Sequence, residues 1–159
     1  MNKQIFSKKG IALLVLLTLF SVKLAAKDMI TFTCQVIKYS VGFNIKATYD
    51  KAFEVNWGDG TTETIIVKRD FRGESVLHKY AKDGEYHVII SALDLECRFY
   101  SFEVDNNSPG LIDLNISCSA LKELRCRRQQ LLYLDLRGCS ALEFLECDNN
   151  KILMFRTSF

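Results

Sequence analysis

The chain has a single proline and only two histidines, His78 and His87, among its 159 residues. With 48% hydrophobic and 25% charged residues, this composition excludes collagen-like, low-complexity and wholly disordered proteins. Neither histidine belongs to an HExxH motif, and no GxSxG motif, phosphate-binding loop or CxxC pair occurs. The sequence therefore predicts a protein that is not an enzyme and holds no metal or cofactor, although a Cys–His nucleophile pair stays open.

The chain also lacks an excess of charge of one sign. Four of its 21 basic residues lie within residues 1–26, which hold no acidic residue, so the remainder has 17 basic and 19 acidic residues. A weakly acidic body lacks the concentrated basic surface with which proteins displace counterions from a duplex. We therefore expect no nucleic-acid partner.

The N-terminus has the order of a secretory signal peptide. Residues 1–10 are basic, residues 11–22 form a run of twelve uncharged, mainly apolar residues, and Ala25 and Ala26 follow. A membrane-spanning helix needs about 20 apolar residues, and Lys23 ends this run earlier. We predict a signal peptide over residues 1–26, with an uncleaved anchor as the alternative. The protein would then be secreted or at the cell surface, and would meet the membrane only through this segment.

Residues 27–105 have the pattern of a small β-sandwich. Polar and apolar residues alternate at 31–34, 43–47 and 53–57, and the runs 64–67 and 86–90 are rich in β-branched and aromatic residues. Glycine-containing turns separate these segments. Five to seven short strands at this spacing predict a mainly β fold with two packed sheets.

Three segments within this region carry a resemblance to a known family. They are VNWGDGT at 55–61, HKY at 78–80 and GEYHV at 84–88. In this order and spacing they resemble a PKD-like domain, whose members share a WGDGT-type turn, an HxY element and a GxYxV strand. The resemblance covers about half of the chain and implies an immunoglobulin-like sandwich.

The side chains of these motifs predict structural roles. Trp57 would fill the core, Gly58 and Gly60 would permit positive φ in a tight turn, and Asp59 would accept turn amide hydrogens. Tyr86 would send its hydroxyl back to residues 78–80, as in a tyrosine corner. Calcium would need several oxygen ligands at alternating positions, which one aspartate does not supply.

The C-terminal third contains an internal repeat. CSALKELRC at 118–126 recurs as CSALEFLEC at 139–147, a shift of 21 residues. This period lies in the range of leucine-rich repeats, and the template L-x-x-L-x-C-x-x-N-x-L fits the second copy throughout. In the first copy Gln129 replaces the asparagine, which should weaken the side-chain ladder. A fainter copy contains Phe99, Phe102, Val104 and Asn107, so the last strand of the sandwich would also begin the repeats.

Residues 106–159 are therefore predicted to form a short leucine-rich repeat solenoid, with about two copies and a partial one. They resemble the short repeats of secreted bacterial surface proteins, in which a PKD-like domain often comes first. That resemblance implies binding or adhesion, by analogy alone.

Stacking of the repeats predicts the register of neighbouring strands. Arg125 should lie beside Glu146, and Arg127 beside Asp148, each pair with opposite charges. The exposed sheet of a solenoid is its usual binding surface, and the alternative is a solvated face without a ligand. The candidate binding residues are those at outward strand positions: Glu123, Arg125, Arg127, Phe144, Glu146 and Asp148.

Export would allow disulfides, but the repeat explains four of the six cysteines as small buried groups. We expect free thiols at those four: Cys118, Cys126, Cys139 and Cys147. Pairing of Cys34 with Cys97 stays open.

The last eight residues, ILMFRTSF, would leave an apolar end on the stack at Leu153, Met154, Phe155 and Phe159. Three explanations of this apolar end compete. The chain could be a truncated relative of longer proteins, the edge could dock another protein or a second copy of the chain, or the tail could fold back as a cap. We favour the first two.

The sequence as a whole predicts a non-catalytic binding or adhesion protein that contacts a protein or glycan through the repeats. The rival hypothesis is a structural spacer, or a fragment of a longer surface protein, with no ligand of its own.

Overall fold

The structure is a computed structural model that describes residues 26–37, 40–69, 72–105 and 110–158. The predicted signal peptide therefore lies outside the described residues, apart from Ala26. Within the described ranges the chain forms strands and turns and no helix, so no helix there could cross a membrane. The prediction of a mainly β fold is confirmed.

The described ranges contain twelve strands, which follow one another in this order: β1 (Met29–Val36), β2 (Ser40–Ala47), β3 (Ala52–Asn56), β4 (Thr62–Ile66), β5 (Glu74–Lys79), β6 (Gly84–Ala92), β7 (Phe99–Val104), β8 (Leu111–Ser117), β9 (Glu123–Arg125), β10 (Tyr133–Asp135), β11 (Phe144–Glu146) and β12 (Met154–Arg156). They form two open, mixed sheets. The seven-stranded sheet has the order β12-β10-β8-β1-β6-β3-β4, and the five-stranded sheet has the order β11-β9-β7-β2-β5.

Alternation along each strand decides which side chains enter the core. In β1 the residues Ile30, Phe32, Cys34 and Val36 are buried, while the residues between them are partly or fully exposed. Phe32 of the seven-stranded sheet meets Phe43 of the five-stranded sheet with ring centroids 6.5 Å apart. Because side chains alternate between the two faces of each strand, each sheet has one apolar face, and the apolar faces of the two sheets pack together into one core.

The strand β7 joins the antiparallel part of the molecule to the repeats. It pairs antiparallel with β2 and parallel with β9. Phe102 lies opposite Leu124, and Leu124 lies opposite Leu145 of β11. This strand therefore pairs with the antiparallel strands on one side and with the repeat segment on the other, as expected, and the core continues without a break across the predicted boundary at residue 105.

A second parallel ladder lies in the seven-stranded sheet, and sequence analysis did not predict it. β8 pairs antiparallel with β1 and parallel with β10, which in turn pairs parallel with β12. Leu114, Leu134 and Phe155 occupy matching positions. Each repeat therefore contributes one short strand to each sheet. The strands of this second ladder follow the alternation of apolar and polar side chains at residues such as 114–116 and 134–136.

The two repeat copies also make matching backbone contacts. The amide of Leu121 donates to the carbonyl of Cys118 at 3.2 Å, and that of Leu142 donates to Cys139 at 3.2 Å. Arg128 and its equivalent 21 residues later, Asn149, both have positive φ, 54° and 56°. The two copies, 21 residues apart, are thus alike in turn geometry as well as in sequence.

Gln129 keeps the polar ladder that an asparagine forms elsewhere. The Nδ2 of Asn150 donates to the carbonyl of Cys126 at 2.7 Å, and its Oδ1 accepts from the amide of Leu131 at 3.3 Å. The buried Gln129 makes the equivalent bonds to Asp105 at 3.5 Å and from Leu111 at 3.3 Å. The longer donor distance agrees with the expected weakening.

Candidate functional site

The outward positions of β9 and β11 bring the six predicted binding residues to one surface of the five-stranded sheet, which we call the repeat face. Glu123 lies opposite Phe144, and Arg125 lies opposite Glu146, as predicted. The residues are half-buried or exposed, whereas Leu124 between them is fully buried. The repeat face consists of Glu123, Arg125, Arg127, Phe144, Glu146 and Asp148.

The charges of the repeat face form one network around Glu146. Arg125 lies 3.6 Å from this carboxylate and 2.9 Å from that of Glu123. Arg127 donates to Glu146 at 2.6 Å. The register that places Arg127 beside Asp148 is as predicted, but the side chain of Arg127 binds Glu146 instead of Asp148, so two guanidinium groups share one carboxylate. The backbone register holds, since the amide of Arg128 donates to the carbonyl of Asp148 at 3.0 Å.

Phe144 is the exposed apolar residue of this surface. It is 42% exposed, and the guanidinium carbon of Arg125 lies 4.7 Å from its ring centroid. This is a cation–π contact. Beside it, Arg125 and Arg127 line a cavity of about 30 Å³ together with Glu103, Val104 and Glu146. A cavity of this size holds one or two waters, so the repeat face is a contact surface rather than a pocket.

The turn at residues 57–61 forms a separate cluster beside the core. Asp59 accepts from the amide and hydroxyl of Thr61 at 2.9 and 2.6 Å, and from Nε2 of His78 at 2.8 Å. Partial desolvation opposes ionisation of Asp59, but the hydrogen bonds from Thr61 and His78 lower its pKa to about 2. The imidazole of His78 stacks on Trp57 with centroids 4.6 Å apart. The hydrogen bond to Asp59 and the stacking on Trp57 therefore fix the orientation of the His78 imidazole.

The structural roles predicted from the motif are largely confirmed. Trp57 is 1% exposed, and Gly58 and Gly60 have φ of 77° and 92°. The Tyr86 prediction is wrong in its target, because its hydroxyl donates to the carbonyl of Lys82 at 3.0 Å. The rings of Tyr80 and Tyr86 stack with their centroids 4.1 Å apart. The hydroxyl of Tyr80, rather than that of Tyr86, reaches the turn and donates to the carbonyl of Trp57 at 2.9 Å.

All six cysteines are free thiols, including Cys34 and Cys97. Three of the four repeat cysteines are fully buried as predicted, and Cys147 at the end of the stack is partly exposed. Burial raises the pKa of Cys126 to about 12 and that of Cys34 to about 11. Thiols in such surroundings stay protonated at neutral pH and are poor nucleophiles. In the described part of the chain, no group of three His, Cys, Asp or Glu residues could hold a metal ion.

The last strands leave apolar side chains at the end of the stack. Leu153 is 86% exposed, Phe155 is 49% exposed and Met154 is 46% exposed. Phe155 occupies the position at which Leu134 and Leu114 are fully buried. We call Leu153, Met154 and Phe155 the terminal apolar edge. Phe159 lies outside the described residues.

No family model, curated protein or solved structure matches the chain. The structure itself defines a mainly β protein of two open sheets, whose repeat face carries charged side chains and an exposed phenylalanine.

Proposed function

We propose that the chain is an exported, non-catalytic binding protein, secreted or held at the cell surface. Its residues 27–105 would form a PKD-like sandwich, and residues 106–159 would form a short leucine-rich repeat stack. The turn around Asp59 supports the first assignment. The matching turns, polar ladder and parallel registers of the two copies support the second.

The observation that carries the binding proposal is the composition of the repeat face. The exposed Phe144 and Arg125 lie on neighbouring short strands, and Arg127 lies two residues beyond the end of β9. Aromatic residues and arginine are the residues most enriched at the energetic centres of interfaces. Exposed ion pairs contribute at most about 1 kcal/mol, so a partner carboxylate or hydroxyl can replace Glu146 at little cost. The partner would be a protein or a glycan.

Binding of the purified chain to a panel of cell-surface proteins and a printed glycan array tests this proposal. Phe144→Ala and Arg127→Ala should each weaken the binding of any captured partner by tenfold or more. Leu77→Ala is the matched control, because Leu77 is 59% exposed on β5 at the opposite edge of the same sheet. Equal effects of all three substitutions would refute a role for the repeat face.

The alternative is a structural spacer with no ligand. Under that hypothesis both repeat-face variants fold normally and no member of either panel is retained. The mutual compensation of Arg125, Arg127, Glu123 and Glu146 favours this alternative, since it satisfies the charges without a partner.

A second candidate interaction is self-association through the terminal apolar edge. β11 and β12 are the edge strands of the two sheets at the same end of the described stack, and exposed apolar edges template further pairing. Phe155→Lys should lower the average molecular mass of the protein measured by light scattering at high concentration, because the charge would oppose association through this edge. A clean monomer of the unaltered chain at that concentration would contradict this proposal.

A further inference from the structure

A groove opens at a part of the molecule that the repeat face does not include. It lies where the C-terminal end of β2, the segment after β4 and the start of β7 meet. Its volume is about 400 Å³, within the range of small-ligand sites. Seven of the residues that the structure describes line it: Lys46, Ala47, Thr48, Tyr49, Val67, Gly73 and Tyr100.

Two tyrosines give the groove its chemical character. Tyr49 is 46% exposed and Tyr100 is 39% exposed, while Ala47 and Val67 of the lining are buried in the core. The hydroxyl of Tyr100 lies 3.3 Å from that of Thr48. The groove thus combines exposed ring surfaces with hydroxyl groups that donate and accept hydrogen bonds.

Lys46 is the charged residue of this lining. It is exposed, and among the described residues no carboxylate lies within ion-pair distance of it. By contrast, two other cations are engaged: Lys51 pairs with Asp94 and Glu96, and Arg98 pairs with Asp28. Within the described part of the chain, the groove therefore presents the ammonium of Lys46 without an ion-pair partner, beside two aromatic rings.

The stem of Lys46 is positioned by Gly73. A Cβ at residue 73 would come within 2.8 Å of Cγ of Lys46 and 2.6 Å of the carbonyl oxygen of Ile45. The φ of Gly73 is 83°, in the region that glycine adopts without strain. The absence of a side chain at 73 thus lets the aliphatic stem of Lys46 lie along the groove.

We propose that this groove binds the carboxylated sugar rings of an acidic glycan. The C–H faces of a sugar ring pack on tyrosine rings, and its hydroxyls bond to the hydroxyls of Tyr49 and Tyr100. The ammonium of Lys46 pairs with the carboxylate. An uncharged ligand would leave this ammonium uncompensated, which is why an acidic sugar fits better than a neutral one. The site is independent of the repeat face and of any partner bound there.

Titration calorimetry of the purified chain with trigalacturonic acid and with maltotriose tests the proposal. We expect heat of binding with the acidic trisaccharide and at least tenfold weaker binding of the neutral one. Lys46→Met keeps the stem and removes the charge, so it should weaken the acidic trisaccharide by about tenfold and leave the neutral one unchanged. Lys79→Met, at an exposed lysine of β5, is the matched control and should have no effect.

Tyr100→Ala and Tyr49→Ala should each lower the affinity by about tenfold, whereas Tyr49→Phe should retain most of it because the ring remains. Should either alanine variant misfold, Lys46→Met still decides, because that substitution preserves packing against Gly73. The proposal is overturned by absence of binding, by equal affinity for both trisaccharides, or by an unchanged affinity of Lys46→Met. Loss of binding in Phe144→Ala would also overturn it, since that variant lies on the repeat face.

Discussion

Replacing Leu124 by alanine tests whether the repeats and the antiparallel strands form one folded unit. Leu124 is fully buried between Phe102 of β7 and Leu145 of β11. Buried leucine-to-alanine changes cost about 2–5 kcal/mol, and more where the cavity cannot collapse. Strands on both sides fix the backbone here, so we expect a loss of about 3–4 kcal/mol.

Leu145→Ala is the matched control for this substitution. Leu145 has the same inward register position, one strand closer to the end of the stack. It is only partly buried, so less apolar surface and fewer contacts are lost when its side chain is shortened. We expect a loss of about 1 kcal/mol.

The single tryptophan gives a fluorescence signal from the antiparallel part of the molecule. Trp57 is the only tryptophan of the chain and directly follows β3, in the antiparallel part of the molecule. Urea unfolding followed by Trp57 fluorescence and by far-ultraviolet circular dichroism should give coincident transitions, both shifted by Leu124→Ala. An unchanged fluorescence transition in Leu124→Ala would refute the continuity of the core, as would a larger effect of Leu145→Ala.

Three further predictions follow from local geometry. Arg128→Asn should stabilise the chain by about 0.5–1 kcal/mol in urea unfolding, because the positive φ at 128 strains arginine more than asparagine. Asp28→Ala should cost about 2 kcal/mol or more, because buried Asp28 binds Arg98 at 2.8 Å; an unchanged melting temperature would contradict this. Hydrogen bonding and charge from Arg137 lower the pKa of Asp135 to about 2. Its contribution to stability is therefore complete above about pH 4 and lost as the pH falls toward 2, so Asp135→Asn should flatten the acid limb of the pH–stability curve.

The sequence predicted the features that depend on short-range patterns. Alternation predicted the β class, and the 21-residue shift predicted that Arg125 lies beside Glu146. Both follow from the period of two in strands and from copies that stack in register. The positive φ of Gly58 was predicted from the glycine-containing turn alone, and the structure shows in addition that a Cβ there would meet the backbone of His87.

The features that sequence reasoning missed depend on three-dimensional neighbours. Arg127 has two carboxylates within reach of its long side chain, and the sequence does not say which it binds. The second parallel ladder carried a signal in the alternation of residues 114–116 and 134–136, but strands of three residues are too short to be recognised by pattern alone. The groove at Tyr49 and Tyr100 had no sequence signal, since its walls come from three distant segments.

Backbone nuclear Overhauser contacts in the isotopically labelled chain would test the stacked arrangement most directly. In parallel strands at this spacing, amide and α protons of matched residues lie within detectable distance. We predict contacts linking the strand of Phe102 to that of Leu124 and the strand of Leu124 to that of Leu145. Contacts that join Leu124 to any other strand, or none from Leu124 to either neighbour, would contradict the arrangement of the antiparallel strands and the repeat copies as one continuous structure.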